Sequence, residues 1–240
     1  MAPKVAFDWT LDTGRCVGVW IEAGSDGADI AAEATLALEE RAFAASLAPA
    51  RRRTWVGGRV AMREALLRSG IAPFPVLSDD RGAPRLPPGV AGSISHKDFS
   101  ATGASRAVLP AAVAVALVAR EERARVGVDI EVAAPVPPSP LDIARRILTD
   151  DELSAIFTKS PEERVREVLL RFSAKEALYK AVDPFVRRYV AFREVEVAPL
   201  PDGSAHVRLL LHEGEGPFHV MARWQPFEGL FVTSARVDRC

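Results

Sequence analysis

The chain has 240 residues, a hydrophobic fraction of 48% and a formal net charge of −1. This length allows one large domain or two smaller ones with buried cores, and the composition is that of a soluble globular protein. The balanced charge gives no reason to expect binding to nucleic acid or to a membrane surface, and the longest uncharged apolar run, residues 107–119, is too short to cross a bilayer.

The first half of the chain alternates between apolar-periodic segments and turn residues. Val and Ile alternate near the N-terminus, as in a strand, and two later segments follow the period of a helix. Turn residues then predict a loop, and two runs of small or aliphatic residues predict further strands. The predicted elements are a strand at 15–22, helices at 29–47 and 50–70, a loop at 73–92, and strands at 92–96 and 111–119.

The second half starts with a charged link at residues 121–125. Its proline-rich segment, residues 135–140, excludes regular structure. The second of two helical segments begins at Pro161, because proline is favoured at the first position of a helix. The elements predicted here are a strand at 126–131, helices at 141–158 and 161–182, and strands at 192–197, 205–211, 217–224 and 230–237.

Two sequence pairs indicate an internal duplication. "VGVWIE" (17–22) is repeated as "VGVDIE" (126–131), and "RVAMREALLR" (59–68) resembles "RFSAKEALYK" (171–180). Both pairs occur in the same order and at nearly the same offset, about 110 residues, which is typical of a repeat. We therefore predict an α+β fold of two similar halves packed as an intramolecular pseudo-dimer, with the active site at their interface.

The two copies of the first phrase differ only where Asp129 replaces Trp20. On a strand, Asp129 and Glu131 point to the same face, about 6.6 Å apart along the backbone. Two carboxylates at about 4 Å would repel by roughly 4 kcal/mol at an effective dielectric near 20, and a divalent cation would remove that cost. Oxygen ligands favour Mg²⁺, with Mn²⁺ as an alternative. The pair could instead be two screened acids on a solvent-facing edge strand.

Two other stretches carry candidate site residues. In the predicted helix at 161–182, Glu176 and Lys180 lie four residues apart on one face, where they could bind a metal and a phosphate or form an ordinary helix ion pair. In "GSISH", Ser95 and His96 suit anion binding, although a lone histidine is more often structural. A serine-nucleophile site does not fit, because the chain has no GxSxG motif.

"GSISH", "GVDIE" and "FSAKEALYK", in this order in a duplicated chain, resemble the 4′-phosphopantetheinyl transferases. The most similar class is the single-chain pseudo-dimeric type that serves siderophore, nonribosomal peptide and polyketide synthases. The resemblance covers roughly residues 50–200. It implies transfer of the phosphopantetheinyl arm from coenzyme A to a serine of an apo acyl or peptidyl carrier protein, with release of 3′,5′-ADP.

The resemblance also implies roles for the acids and lysines. Asp129, Glu131 and Glu176 match the metal-binding acids of the family. Glu176, or a water that it orients, would take the serine proton, with Asp129 counted among the catalytic residues. Lys180 would stabilise the transferring phosphate, with Lys175 nearby, and both lysines would bind coenzyme A. Residues 124–240 would thus form the metal-binding and catalytic half.

The remaining family positions fall in the half formed by residues 1–123, which the resemblance assigns to coenzyme A phosphate contacts. Ser95 and His96 match contacts to these phosphates. The basic positions for the 3′-phosphate and pyrophosphate match Arg51, Arg59 and Arg81, and Arg85 is the alternative to Arg81. In the first copy, Glu22 and Glu64 would be structural or remnant residues, since only one copy needs the metal.

The other expectations concern partners and location. The N-terminal residues lack the apolar region of a signal peptide, and Cys16 and Cys240 form no disulfide or metal-binding pattern, so we expect a cytoplasmic monomer. Two rival functions stay open on the sequence alone. One is a Mg²⁺-dependent nuclease or nucleotidyl transferase, and the other is a non-catalytic module that binds coenzyme A or a carrier protein.

Overall fold

A computed structural model describes residues 3–22, 32–99, 111–133 and 140–239, apart from the side chains of Pro140 and Asp142. The chain forms two units, Met1–Glu122 and Arg123–Cys240. No helix among the described residues is both long and apolar enough to span a membrane.

The first unit is built on a four-stranded antiparallel sheet in the order β1-β2-β4-β3. Eight of the nine residues of β4 are buried, so both of its faces are covered, and it has a neighbouring strand on each side. The aliphatic run "AVAVALVA" therefore reads as a continuous apolar strand rather than an alternating one. The strands are β1 Val5–Leu11, β2 Gly14–Ile21, β3 Val90–Asp98 and β4 Ala112–Arg120.

Two helices of this unit are α1, Leu38–Ala45, and α2, Pro49–Arg68. The predicted continuous helix at 29–47 is wrong, since the chain turns before Leu38 and a new helix starts there. The buried Glu40 explains this start: its carboxylate accepts from the N–H of Ala37 at 2.9 Å and from the N–H of Val76 at 2.9 Å. It thus caps α1 and ties a distant loop to it.

The second unit contains a three-stranded antiparallel sheet, β5-β9-β8, and a two-stranded ribbon, β6-β7. The strands are β5 Ala124–Val132, β6 Val195–Pro199, β7 Ala205–Leu209, β8 Phe218–Phe227 and β9 Leu230–Arg239. Its helices are α3 Pro140–Ile147, α4 Asp150–Phe157, α5 Pro161–Val186 and the 3₁₀ helix Phe192–Glu194.

Three predictions for this unit need correction. The single helix predicted at 141–158 is divided into α3 and α4, because Thr149 caps the second of them and forms a capping box with Glu152. The irregular segment predicted at 135–140 lies outside the described residues, except that Pro140 begins α3. The long helix continues to Val186, four residues beyond its predicted end.

The two units repeat one arrangement of strands and a helix. In the first, β2, β4 and β3 pair in that order and α2 packs on them; in the second, β5, β9 and β8 pair in that order under α5. Aliphatic residues of the helix and strands form a core in each unit. The predicted fold class, two similar α+β halves, is confirmed, whereas β1 was not predicted.

Candidate active site

The two acids of "VGVDIE" lie in the C-terminal half of β5, paired with Thr233 and Phe231 of β9. β5 is an edge strand of its sheet, but Asp129 is 7% exposed and Glu131 is 8% exposed, so neither faces solvent as the alternative interpretation required. Burial of two acids on neighbouring positions of one face is costly unless other groups compensate their charge. Two groups that contact Asp129, the Ser173 hydroxyl and the Lys180 ammonium, come from α5.

Gly127 brings α5 close to β5. A Cβ atom at this position would stand 1.8 Å from the carbonyl oxygen of Ala177, so only glycine allows this approach of helix and strand. Ala177 lies next to Glu176 and one turn before Lys180. The close contact therefore sets both side chains beside the acids of the strand.

Ser173 and Lys180 both donate hydrogen bonds to Asp129. Ser173 donates its hydroxyl to Oδ2 at 2.8 Å and shares a hydrogen bond of 2.9 Å with Thr233 Oγ1. The Lys180 ammonium donates to Asp129 Oδ1 at 3.0 Å and to the carbonyl oxygen of Val128 at 2.9 Å. The carboxylate thus has a fixed orientation before any ligand binds.

Glu176 lies in the field of both strand acids. Its pKa is raised, mainly because burial disfavours the charged form; Lys180 opposes this shift, and the negative charges of Asp129 and Glu131 add to it. Glu131 accepts a hydrogen bond from the N–H of Val132 at 2.8 Å. Glu176 is therefore within electrostatic reach of both strand acids and of Lys180.

The donor chemistry of this cluster fits a hard divalent cation, since carboxylate oxygens are the ligands that Mg²⁺ prefers. Burial is the main cause of the raised pKa of Glu176 and the charges of Asp129 and Glu131 add to it, so a cation bound here would favour its ionised form. Among the residues that the structure describes, however, no three acid, histidine or cysteine side chains are already grouped as a metal site. The metal ligands Asp129, Glu131 and Glu176 stay a prediction.

Lys175 has a different position from the one predicted. Its side chain is fully buried, and its ammonium donates to Glu152 Oε2 at 2.6 Å, to the carbonyl oxygen of Ile147 at 2.9 Å and to that of Phe192 at 3.0 Å. All three protons are used, so in this conformation none is available to a phosphate. The prediction that Lys175 binds coenzyme A is therefore corrected: it joins α5 to three other segments directly behind Glu176.

A cavity of about 130 Å³ opens beside Glu176. Its walls are mainly aromatic and aliphatic, and Tyr179 and Tyr189 face each other with ring centroids 6.2 Å apart. Tyr189 is 69% exposed, so the cavity has an accessible rim. The lining residues are Lys175, Glu176, Tyr179, Tyr189, Val190, Ala191, Phe192 and Val195.

Arg59, in the first unit, is 6% exposed. Its guanidinium donates to the carbonyl oxygen of Val76 at 2.6 Å and to Ser78 Oγ at 2.9 Å, and stacks over Trp55 at 4.2 Å. Burial lowers its pKa to about 10. Arg59 therefore fastens the loop after α2, and a phosphate contact by it stays a prediction.

The other predicted contacts of this unit are spread over three elements. Arg51 is exposed in the first turn of α2, and Arg81 is exposed in the loop, where its N–H donates to Asp79 Oδ1 at 2.9 Å. Ser95 and His96 are neighbours on β3, and a strand directs neighbours to opposite faces. The structure thus does not bring these two side chains together, and their shared phosphate contact also stays a prediction.

Sequence reasoning missed Ser173 and Thr233 as supports of Asp129. Ser173 lies within "FSAKEALYK", three residues before Glu176, so helical spacing could have placed it on the same face. Thr233 carried no such signal, because its contact depends on the pairing of β5 with β9. The tyrosines of the cavity were missed for the same reason.

Comparison with known proteins gives two family matches. The model of the 4′-phosphopantetheinyl transferase superfamily matches residues 125–230, and that of the 4′-phosphopantetheinyl transferase N-terminal domain matches residues 39–105. Together the two matches cover most of both units.

Individual relatives agree with these matches. The chain is 32% identical over 208 residues to the 4′-phosphopantetheinyl transferase Svp of Streptomyces mobaraensis, covering 83% of this chain and 77% of that protein. It is 33% identical over 171 residues to the 4′-phosphopantetheinyl transferase Npt of Nocardia iowensis, covering 70% and 66%. A solved Chronobacterium ammoniagenes ACPS-CoA complex covers 50% of this chain and 99% of that chain, with 19% identity and a TM-score of 0.40.

Proposed function

The chain belongs to the 4′-phosphopantetheinyl transferase superfamily, and from this premise we propose how its own residues divide the reaction. A 4′-phosphopantetheinyl transferase moves the arm of coenzyme A onto a carrier protein. The proposal is that the acids of the second unit bind Mg²⁺, or Mn²⁺, and activate the acceptor serine, with 3′,5′-ADP as the leaving group.

The observation that carries this proposal is the group of three acids on β5 and α5. Asp129 and Glu131 both act electrostatically on Glu176, and Lys180 pairs with Asp129. A bound Mg²⁺ supplies positive charge that polarises phosphate oxygens. Asp129 is oriented for such a ligand by Ser173, and the three carboxylates are the groups that would hold it.

Glu176 is the proposed base. Its raised pKa makes it a better proton acceptor than an ordinary exposed glutamate, and it takes the serine proton directly or through a water. Lys180 neutralises charge on the transferring phosphoryl group, since its ammonium already lies among the acids. Glu176 therefore has an acid-base role, and Lys180 has an electrostatic role.

The cavity beside Glu176 suits the pantetheine arm of the donor. The arm is a narrow chain whose methyl groups and amides fit between aromatic and aliphatic walls, and it is attached to the phosphate that reacts. The donor's phosphates are assigned, as a proposal, to a set of side chains in the first unit. These are Arg51, Arg59, Arg81, Ser95 and His96.

The identity of the acceptor, the oligomeric state and the location are part of the same proposal. The acceptor is an apo acyl or peptidyl carrier protein of siderophore, nonribosomal peptide or polyketide synthesis, and the protein acts as a cytoplasmic monomer without nucleic acid or membrane as partner. The relatives Svp and Npt support the reaction, and the formal charge of −1 supports the absence of a nucleic-acid partner.

Intact-mass measurement of a carrier protein tests the proposal. The purified protein, coenzyme A, Mg²⁺ and an apo carrier should increase the carrier's mass by one phosphopantetheinyl group, and a chelator should stop the reaction. Binding of coenzyme A without any mass change would indicate a binding module. Full turnover in metal-free buffer would contradict the assigned role of the acids.

A further inference from the structure

The wall of the cavity that follows α5 is fastened by one arginine. Arg188 comes directly after Arg187, whose backbone φ of 51° ends the helix, and directly before Tyr189, the first cavity residue of this segment. Its guanidinium is 24% exposed and lies between two glutamates that are 21% and 18% exposed. The segment itself has no regular structure until the 3₁₀ helix.

Both glutamates bind the guanidinium through two oxygens. Glu215 accepts from Nε at 2.6 Å and from Nη2 at 2.7 Å, and Glu194 accepts from Nη1 at 3.1 Å and from Nη2 at 2.5 Å. The planar fork of arginine allows two such pairings at once, which a lysine cannot form.

The same carboxylates also hold the backbone on each side. Glu194 Oε1 accepts from the N–H of Ala191, within the cavity wall, at 2.9 Å. Glu215 Oε2 accepts from the N–H of His212, in the turn between β7 and β8, at 2.8 Å. The segment that carries Tyr189 is therefore joined to the β7–β8 turn through side chains, and these side chains stay outside the cavity lining.

We propose that Arg188, Glu194 and Glu215 form a positioning clamp that fixes the cavity wall next to Glu176 and so sets the affinity for the pantetheine arm of the donor. The inference rests on the proposed function, because it takes the arm as the occupant of this cavity. A wall that is already ordered lowers the cost of binding, since less conformational freedom is lost when the ligand enters.

The glutamates of the clamp stay ionised over the working pH range. Arg188 lowers the pKa of Glu215 to about 2 and also lowers that of Glu194. Because both pKa values are depressed in the folded state, the pairing is present above the ordinary glutamate value and is lost only as the pH falls toward 2. The clamp is thus a fixed support and not a pH switch.

Calorimetric titration of the full chain with two ligands tests the clamp. Coenzyme A contains the arm, and 3′,5′-ADP lacks it. In Arg188→Gln, the dissociation constant for coenzyme A should rise on the order of tenfold while that for 3′,5′-ADP stays the same. Steady-state kinetics should show the same change as a higher KM for coenzyme A with kcat nearly unchanged.

Two further variants separate positioning from general stability. Arg208→Gln removes the pairings of an exposed arginine with Glu196 and Asp151, none of which lines the cavity, and should leave both affinities unchanged. Glu215→Gln removes one side of the clamp and should weaken coenzyme A binding alone, by less than Arg188→Gln. This variant also serves if Arg188→Gln fails to fold.

Equal loss of affinity for both ligands in the Arg188 and Glu215 variants, or no loss for either, would overturn the clamp. Failure of the proposed function would look different, because the wild-type protein itself would then transfer nothing to the carrier or would bind coenzyme A no better than 3′,5′-ADP.

Discussion

The two units use the same helix-on-sheet arrangement but balance their charges differently. In the first, Arg68 contacts both Glu64 and Asp8 at 3.1 Å, and Arg15 pairs with the same Asp8 at 2.5 Å. Two acids thus meet two arginines.

In the second unit, the matching helix face and strand carry three acids beside Lys180. The difference begins at one position of the repeat, where Trp20 in the first unit corresponds to Asp129 in the second. It is increased by β1, which supplies Asp8 and pairs with β2, whereas β5 has one partner strand in its sheet. The repeated motif therefore places side chains at matching positions in the two units. We expect the different charges around these positions to decide which unit binds the ligand.

Replacement of the strand acids should show the largest difference between the units. Asp129→Asn should reduce phosphopantetheinyl transfer by at least roughly a thousandfold, because it removes charge from the predicted metal site. Asp8→Asn, the control in the balanced unit, should leave the rate near that of wild type. Initial rates by carrier mass spectrometry, with circular dichroism to check folding, would measure both. Equal rates in the two variants would contradict the assignment of the metal site to the second unit.

Replacement of the helix acids should have the next largest effect on the rate of transfer. Glu176→Gln should lower kcat by about 10²–10⁴, because an amide cannot accept the serine proton. Glu64→Gln, at the matching position, should change kcat little. Similar losses in the two variants would mean that the chemistry is assigned to the wrong unit.

The neighbouring basic positions should differ in stability. Lys175→Met leaves Glu152 buried without its cation and should lower the free energy of unfolding by about 3–5 kcal/mol. Arg63, the matching residue, is only half-buried, so Arg63→Met should cost less than about 1 kcal/mol. Urea unfolding curves would measure both. A phosphate-binding role for Lys175 would instead give a stable protein with a raised KM for coenzyme A.

The smallest expected effect is a change in melting temperature, which has opposite signs in the two units. The folded state raises the pKa of Glu176, so its ionised form is disfavoured on folding, and this penalty appears only as the pH rises above the ordinary value of 4.5. Glu176→Gln should therefore raise the melting temperature near pH 7, by a few degrees at most, and leave it unchanged near pH 4.

Glu64→Gln should lower the melting temperature slightly at pH 7, because it removes the ion pair with Arg68, which is worth about 0–1 kcal/mol. Melting curves of both variants at the two pH values would test this reversal. A lower melting temperature for Glu176→Gln at neutral pH would show that its charge is already compensated.

The sequence predicted the elements whose signals are local. The alternation in β2 and β5, the aliphatic run of β4 and the first-position proline of α5 each follow from neighbouring residues. Asp129, Glu131, Glu176 and Lys180 were found together because two short motifs carry all four. The break before α1 could not be predicted, since it depends on Glu40 reaching Val76 across the fold.

The same limit explains the errors in the site. The family resemblance implied that Lys175 lies near the phosphate and binds coenzyme A, yet helical geometry turns it toward Glu152 and the core. The supports of Asp129 and the clamp at Arg188 join residues far apart in the chain. Such contacts follow from tertiary pairing, which no local pattern contains.

The most direct test of the metal site is calorimetric titration of Mn²⁺, as a stand-in for Mg²⁺, into the wild-type protein, Asp129→Asn and Asp8→Asn in the presence of 3′,5′-ADP. We expect wild type and Asp8→Asn to bind one ion with the same affinity, and Asp129→Asn to bind it at least about tenfold more weakly. Unchanged ion binding in Asp129→Asn, or equal weakening in both variants, would contradict a metal site made by the acids of the second unit.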